Sequence, residues 1–238
     1  MTGNRLAERF RVARREGRLA FIPYLMAGDP DPDTSALLIR DLDRIGADLI
    51  EIGVPYSDPV ADGVVIQRAA ERALGAGMNL EGVLALVAKI RNQVDAGLVL
   101  FTYFNPVLRF GIDRFAREAV TAGVDAVLVV DLPLEEAGSF RKAVKKTGLD
   151  TAGLLAPTTP DVRVGRIAAV TTGFLYYVSR TGVTGTREQL DGELTGRLQQ
   201  VRQLVHLPLV VGFGISSPEH LRELRGKADG VVVGSAIV

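Results

Sequence analysis

The sequence predicts a (β/α)8 barrel of the TIM type with an extra N-terminal helix, and three observations lead there. Short β-branched apolar runs alternate with Gly/Pro/Asp-rich loops and amphipathic stretches along the whole chain. Eight such runs occur within 238 residues, which suits one large α/β domain spanning 1–238 better than two small ones. The runs DAVLVVDLP and LPLVVGFG are apolar almost throughout, as expected of parallel strands covered on both faces by helices. An open doubly wound sheet is the competing architecture.

An amphipathic stretch, Arg5–Glu16, opens the chain as the extra helix. Strands are expected at Leu19–Met26, Ala47–Gly53, Gly97–Phe101 and Ala126–Val130, then at Thr151–Leu155, Gly173–Ser179, Leu207–Gly212 and Gly230–Gly234. The helices between them are expected at Asp33–Ile45, Leu80–Asn92, Ile112–Ala122, Leu134–Lys146, Asp161–Ala169, Gly196–Leu204 and Pro218–Leu224. The sequence stops at Val238, directly after the eighth strand, so the barrel is expected to lack its closing helix here. Without that helix the outer faces of FIPYL and GVVVGSAIV would meet water, so the natural protein is expected to continue past Val238 with an amphipathic helix.

Lys+Arg and Asp+Glu both total 28, and a zero net charge gives no pull toward nucleic acid or an anionic membrane. A phosphorylated ligand would have to be held by a local site. The absence of cysteine removes disulfides, thiolate nucleophiles and thiolate-ligated metals. His206 and His220 are too few for a histidine-rich metal centre, so no metal is expected. The N-terminus is charged and no apolar run is long enough to span a bilayer, which makes the cytoplasm the expected location.

In such barrels the chemistry sits at the C-terminal ends of the strands and in the βα loops. Glu51 lies inside the apolar run ADLIEIG near the end of the second strand. A carboxylate there is costly unless it is hydrogen-bonded or protonated, which favours catalysis over a structural glutamate satisfied by backbone or water. The loop that follows carries Asp58 and Asp62 among Pro55, Pro59 and Gly63. Each aspartate alone would read as turn or helix-cap chemistry, but Glu51 with Asp62 makes a plausible acid–base pair.

Gly212 and Gly214 follow the seventh strand and Gly234 and Ser235 the eighth, the two loops on which barrels often bind phosphate through backbone N–H groups. The loop after the sixth strand, SRTGVTGTREQLDGE, is long and polar and has the composition of a lid over the site; a plain flexible surface loop has it too.

Taken together, FIPYLMAGDPD, ADLIEIGVPYSDPVADGVVIQ, YFNPVLRFG, VDAVLVVDLPLEE, LLAPTTP, YYVSRTGVTG, GFGISSPEH and DGVVVGSAIV closely resemble the tryptophan synthase α subunit family, in order and over almost the whole chain. EIGVPYSDPVADG is the most specific of these segments. The resemblance implies cofactor-free, aldol-type cleavage of indole-3-glycerol phosphate to indole and glyceraldehyde 3-phosphate. It implies Glu51 as the principal acid–base residue and Asp62 as the partner of the indole N–H, with Thr184 pairing with Asp62 on lid closure. Tyr176 would lie beside the carboxylates, Tyr24, Tyr103, Leu155 and Phe213 would line the indole pocket, and Gly185, Gly214, Gly234 and Ser235 would hold the phosphate.

It also implies a pyridoxal-phosphate-dependent β subunit as partner in an α2β2 heterotetramer, with the pyridoxal phosphate held only by that partner. Pro55–Asp58, Asn105–Pro106 and Arg180 match the docking face. The absent C-terminal segment is the main departure from the family pattern. Three other readings fit the residues: a free-standing lyase of the same chemistry, a phosphate-binding barrel isomerase with two carboxylates, and a weakly active subunit that mainly activates its partner.

Overall fold

The computed structural model describes residues 5–178, 192–212 and 218–238. Eight parallel strands close on themselves in chain order, β1 pairing with both β2 and β8. The strands are β1 (Ala20–Met26), β2 (Leu49–Gly53), β3 (Gly97–Thr102), β4 (Ala126–Val129), β5 (Asp150–Leu155), β6 (Phe174–Val178), β7 (Leu209–Gly212) and β8 (Gly230–Val233). The open-sheet alternative is thereby excluded. Helix α1 (Arg5–Arg15) precedes the barrel, and α2 (Pro32–Arg44) covers the β1–β2 connection.

Two helices occur that the apolar periodicity did not predict. The β2–β3 connection holds α3 (Val64–Gly75) before α4 (Leu80–Ile90), and α3 buries Ile66, Ala69, Ala70 and Ala73 at helical spacing. Alanine contributes a small apolar stripe, so its periodicity stands out less than that of leucine-rich helices. After β3 comes α5 (Phe104–Phe110), then α6 (Ile112–Ala122). The fourth crossover helix, α7, covers Gly138–Thr147 and starts four residues later than expected, because Pro133–Glu136 is taken up by a turn. The remaining helices are α8 (Asp161–Ala168), α9 (Gly192–Leu204) and α10 (Pro218–Leu224). No single helix among the described residues is long and apolar enough to cross a membrane.

The base of the barrel is sealed by α1. Leu6, Phe10 and Ala13 share one buried helix face. The Leu6 methyl groups sit 3.3 and 3.0 Å from where side chains at Gly97 and Gly173 would begin, so one leucine touches the starts of β3 and β6 together. Phe10 packs on Phe174 with ring centroids 5.8 Å apart.

Polar groups fix the same end by a repeated device. Asp48, Asp125 and Asp229, at the starts of even strands, accept N–H bonds from Phe21, Leu98 and Leu209 of the preceding odd strands at 2.8, 2.8 and 2.9 Å. Thr172 does the same for Thr151 before β6 at 3.0 Å. Arginines in or just after α1 bind all three aspartates: Arg18 to Asp48, Arg5 to Asp125 at 2.9 Å and Arg14 to Asp229 at 3.0 Å. Each aspartate thus satisfies a strand-end donor and anchors the helix that closes the base.

Leu6→Ala is expected to cost about 2–5 kcal/mol of stability, the range for emptying a buried leucine site, in a urea titration. The rate at saturating substrate should stay within about twofold, because the site lies at the other end of the strands.

Candidate active site

Strand pairing sets which side chains enter the barrel. Tyr24 on β1 is in register with Glu51 on β2, and Tyr176 on β6 with Val210 on β7. Two residues further along, Gly53 and Gly212 face inward as well. A Cβ at Gly53 would lie 2.1 Å from the Tyr24 hydroxyl, and one at Gly212 only 2.0 Å from the Tyr176 hydroxyl. Both tyrosines therefore lean across the next strand into space that exists only because residues 53 and 212 have no side chain. The Tyr24 ring also meets Phe101 of β3 edge-on at 5.5 Å.

Glu51 stands within this aromatic lining, fully buried, and neither of its oxygens has a hydrogen-bond partner among the described residues. No backbone group among the described residues satisfies it. Burial alone pushes its carboxyl up to about 8, because no donor or cation among the described residues offsets the loss of solvent. The group is held as the neutral acid near neutral pH.

Asp62 reaches the site from the β2–α3 loop. Its backbone N–H turns back to the Pro59 carbonyl, and its own carbonyl accepts from the Gln67 side chain at 2.8 Å. The N-cap of α3 is Gly63, so the Asp62 carboxylate is not spent on capping. It accepts a hydrogen bond from the Tyr103 hydroxyl at 3.1 Å, and that hydroxyl oxygen accepts in turn from the Ala61 N–H at 2.9 Å. Burial raises the Asp62 carboxyl to about 6, partly offset by the Tyr103 bond. Two carboxyl groups in one mouth are thus held in different states at neutral pH, Glu51 protonated and Asp62 ionised. Asp58, by contrast, is exposed; its carboxylate accepts from the Ser57 hydroxyl at 2.6 Å and its carbonyl from the Val60 N–H at 2.9 Å, as in an ordinary turn.

Tyr24, Tyr103 and Tyr176 are all buried in this lining. The hydroxyls of Tyr24 and Tyr176 are made harder to ionise, first by burial and then by the charge of nearby carboxylates. Leu155 is a correction. Gly153 points away from the barrel axis toward Thr171, Ile167 and Leu175, and Leu155, two residues on, faces the same way. It is packed with Leu175, Tyr177 and Val211 in the outer layer, away from the barrel interior. The inward residue is its neighbour Leu154, in register with Tyr176, and Phe101 and Leu128 join it on the inner face. None of the three is marked out by the sequence, because each is one apolar residue within an apolar run.

Gly234 directly follows β8, with its missing side chain directed at the Tyr24 Cβ 3.8 Å away. Ser235 is exposed in a turn in which the Ile237 and Val238 amides bond back to the Gly234 carbonyl. Thr184, Gly185, Phe213, Gly214 and Arg180 lie outside the described residues, as does most of the loop expected to form a lid.

A closed parallel barrel with a buried carboxyl and a tethered carboxylate toward the C-terminal ends of its strands has the architecture of a barrel enzyme. Residues 10–238 match the family described as tryptophan synthase alpha chain. The tryptophan synthase alpha chain of Solibacter usitatus is 53% identical over 234 residues, covering 98% of this chain and 88% of that protein. Among solved structures, tryptophan synthase subunit alpha from Legionella pneumophila superposes with a TM-score of 0.89 at 37% identity, over 98% of this chain and 87% of that one. A chain of the tryptophan synthase α2β2 complex of the hyperthermophile Pyrococcus furiosus gives 0.86 at 42% identity, over 92% and 88%. The chain belongs to the tryptophan synthase alpha chain family.

The buried acid has a sign that can be measured. The folded-state value of about 8 lies above the ordinary 4.5, so the folded protein keeps a proton that the unfolded chain releases. The contribution of Glu51 to stability is intact below about pH 4.5 and declines up to about pH 8. Each factor of ten in proton affinity corresponds to about 1.36 kcal/mol. Glu51→Gln should therefore raise stability at pH 8 by on the order of a few kcal/mol, with little change at pH 4.5. Denaturant titrations at the two pH values read the difference.

Proposed function

We propose that Glu51 and Asp62 carry out the acid–base chemistry of this family's lyase reaction, cleavage of indole-3-glycerol phosphate to indole and glyceraldehyde 3-phosphate. One observation carries the assignment: Glu51 is a fully buried carboxylic acid with no partner among the described residues, poised to give up a proton near neutral pH. In the first step it delivers that proton to C3 of the indole ring, and the ring π electrons form the new C–H bond. Positive charge then spreads to the ring nitrogen, where the ionised Asp62 accepts the N–H bond. The Glu51 carboxylate next removes the proton of the glycerol hydroxyl adjacent to the ring. The oxygen lone pair forms the aldehyde, the bond to C3 breaks, and its electrons restore aromatic indole. Glu51 ends protonated, ready for another turnover.

The inward aromatic lining suits a flat apolar indole, and Tyr103 holds Asp62 for the N–H. Proton transfer at a positioned carboxyl accounts for every step, so the reading calls for no cofactor in this chain. The phosphate belongs at Gly234–Ser235, where the loops GFGISS and VVVGSAIV contain no Lys or Arg and backbone N–H groups supply the donors. The partner is the pyridoxal-phosphate-dependent β subunit, working with this chain in the cytoplasm as an α2β2 assembly. Its docking face includes Tyr56 and Asn105, whose side chains share a 3.1 Å hydrogen bond. Tyr56 also packs on Tyr103 at 5.1 Å, so contact at this face bears on the residue that holds Asp62.

Glu51→Gln is expected to lower indole release by about 10²–10⁴-fold while substrate still binds. The profile of kcat/KM against pH should be a bell, rising near pH 6 as Asp62 ionises and falling near pH 8 as Glu51 loses its proton. Activity in Glu51→Gln within a few-fold of the parent would end the assignment. For the phosphate, titrating inorganic phosphate and following amide NMR signals should move Gly234 and Ser235 early. Shifts confined to other regions would place the anion elsewhere.

A further inference from the structure

The hydroxyl of Tyr24 is buried and, like both Glu51 oxygens, has no hydrogen-bond partner among the described residues. Unsatisfied buried hydroxyls are rare in folded proteins, and one beside an unsatisfied carboxyl asks for a common explanation. The two residues are cross-strand neighbours on the same inner face. The hydroxyl does not stay level with Glu51 but lies over Gly53, 2.1 Å from the absent Cβ. Residues two apart on a strand are separated by roughly 6.5 Å, which a glutamate side chain leaning toward the barrel mouth largely spans. Phe101 meets the phenol ring edge-on at 5.5 Å. Among the described residues, the other titratable groups facing the pair are Asp62, Tyr103 and Tyr176, and Asp62 and Tyr103 already bond each other.

We propose that Tyr24 is a positioning residue whose hydroxyl donates a hydrogen bond to the Glu51 carboxylate formed when the proton passes to the indole ring. The proposal rests on the assignment of Glu51 made above. A neutral glutamic acid gains less from such a donor than a carboxylate does, which fits the absence of a hydrogen bond between the two groups in the resting site. The carboxylate left behind has lost its proton in a buried pocket, and the phenol stands on the adjacent strand of the same inner face. Holding the carboxylate there keeps it at the mouth for its second task, removal of the glycerol hydroxyl proton. Gly53 is part of the device, since any side chain at that position would displace the phenol.

The test is Tyr24→Phe in the full chain, which removes one oxygen and leaves the ring packing. The rate at saturating substrate should fall about tenfold, the value of one hydrogen bond to a charged group, with KM changed less than about twofold. A donor to the ionised form lowers an acid's pKa, so its loss should move the falling limb of the pH profile up by about one pH unit. The δ-carbon NMR titration of Glu51 in the ligand-free variant should shift in the same direction. Gly53→Ala, which displaces the hydroxyl without deleting it, should move the limb the same way. A limb and a titration that stay in place in both variants overturn the proposal, even if the rate falls, because lost packing alone would then explain it. Glu51→Gln run alongside separates the two levels. Retained activity there defeats the underlying assignment, whereas an inactive Glu51→Gln beside an unmoved Tyr24→Phe profile defeats only this inference.

Discussion

Dehydration of the Glu51 carboxyl is the constraint around which the barrel mouth is organised. Among the described residues no cation and no donor stands against it, so its proton is retained because an ionised carboxylate would have no solvent to stabilise it. That works only if the interior stays dry below it and apolar beside it. The leucine and phenylalanine of α1 close the base, and Tyr24, Phe101 and Tyr176 wall the sides. The two inward glycines, Gly53 and Gly212, let the tyrosines lie across neighbouring strands without pushing the backbone apart.

The two ends of the strands thus solve opposite problems. At the base, buried charge is fully compensated: each aspartate meets a strand N–H and an arginine from the α1 region. At the mouth, the Glu51 carboxyl has no hydrogen-bond partner among the described residues, and burial raises its pKa.

Asp62 illustrates how a loop residue acquires a fixed role. Its backbone is pinned by Pro59 and Gln67, and its carboxylate is aimed by Tyr103, which leaves the end of β3 rather than β2. Two strands therefore set the geometry of one carboxylate. Tyr103 and Tyr56 then link that carboxylate to the surface, through a ring contact and a hydrogen bond to Asn105.

The alternation of apolar runs and loops was enough to give the barrel, the strand order and the placement of Glu51, since a lone carboxylate within an apolar strand end is conspicuous by itself. Asp62 was legible only in company with Glu51, because an aspartate between proline and glycine has an ordinary use in turns. What the sequence left open was the phase of strands that are apolar on both faces. In TAGLLAP, Leu154 and Leu155 are chemically equal, and period-two alternation cannot say which enters the barrel. Closure of the sheet decided it: the register of β5 with β6 turns Leu154 inward beside Tyr176 and sends Leu155 to the helix layer. The same closure laid Tyr24 over Gly53, residues 29 positions apart in the chain. Each residue type states what it tolerates locally, but which neighbours it meets depends on pairing between strands, and that information exists only in the folded barrel.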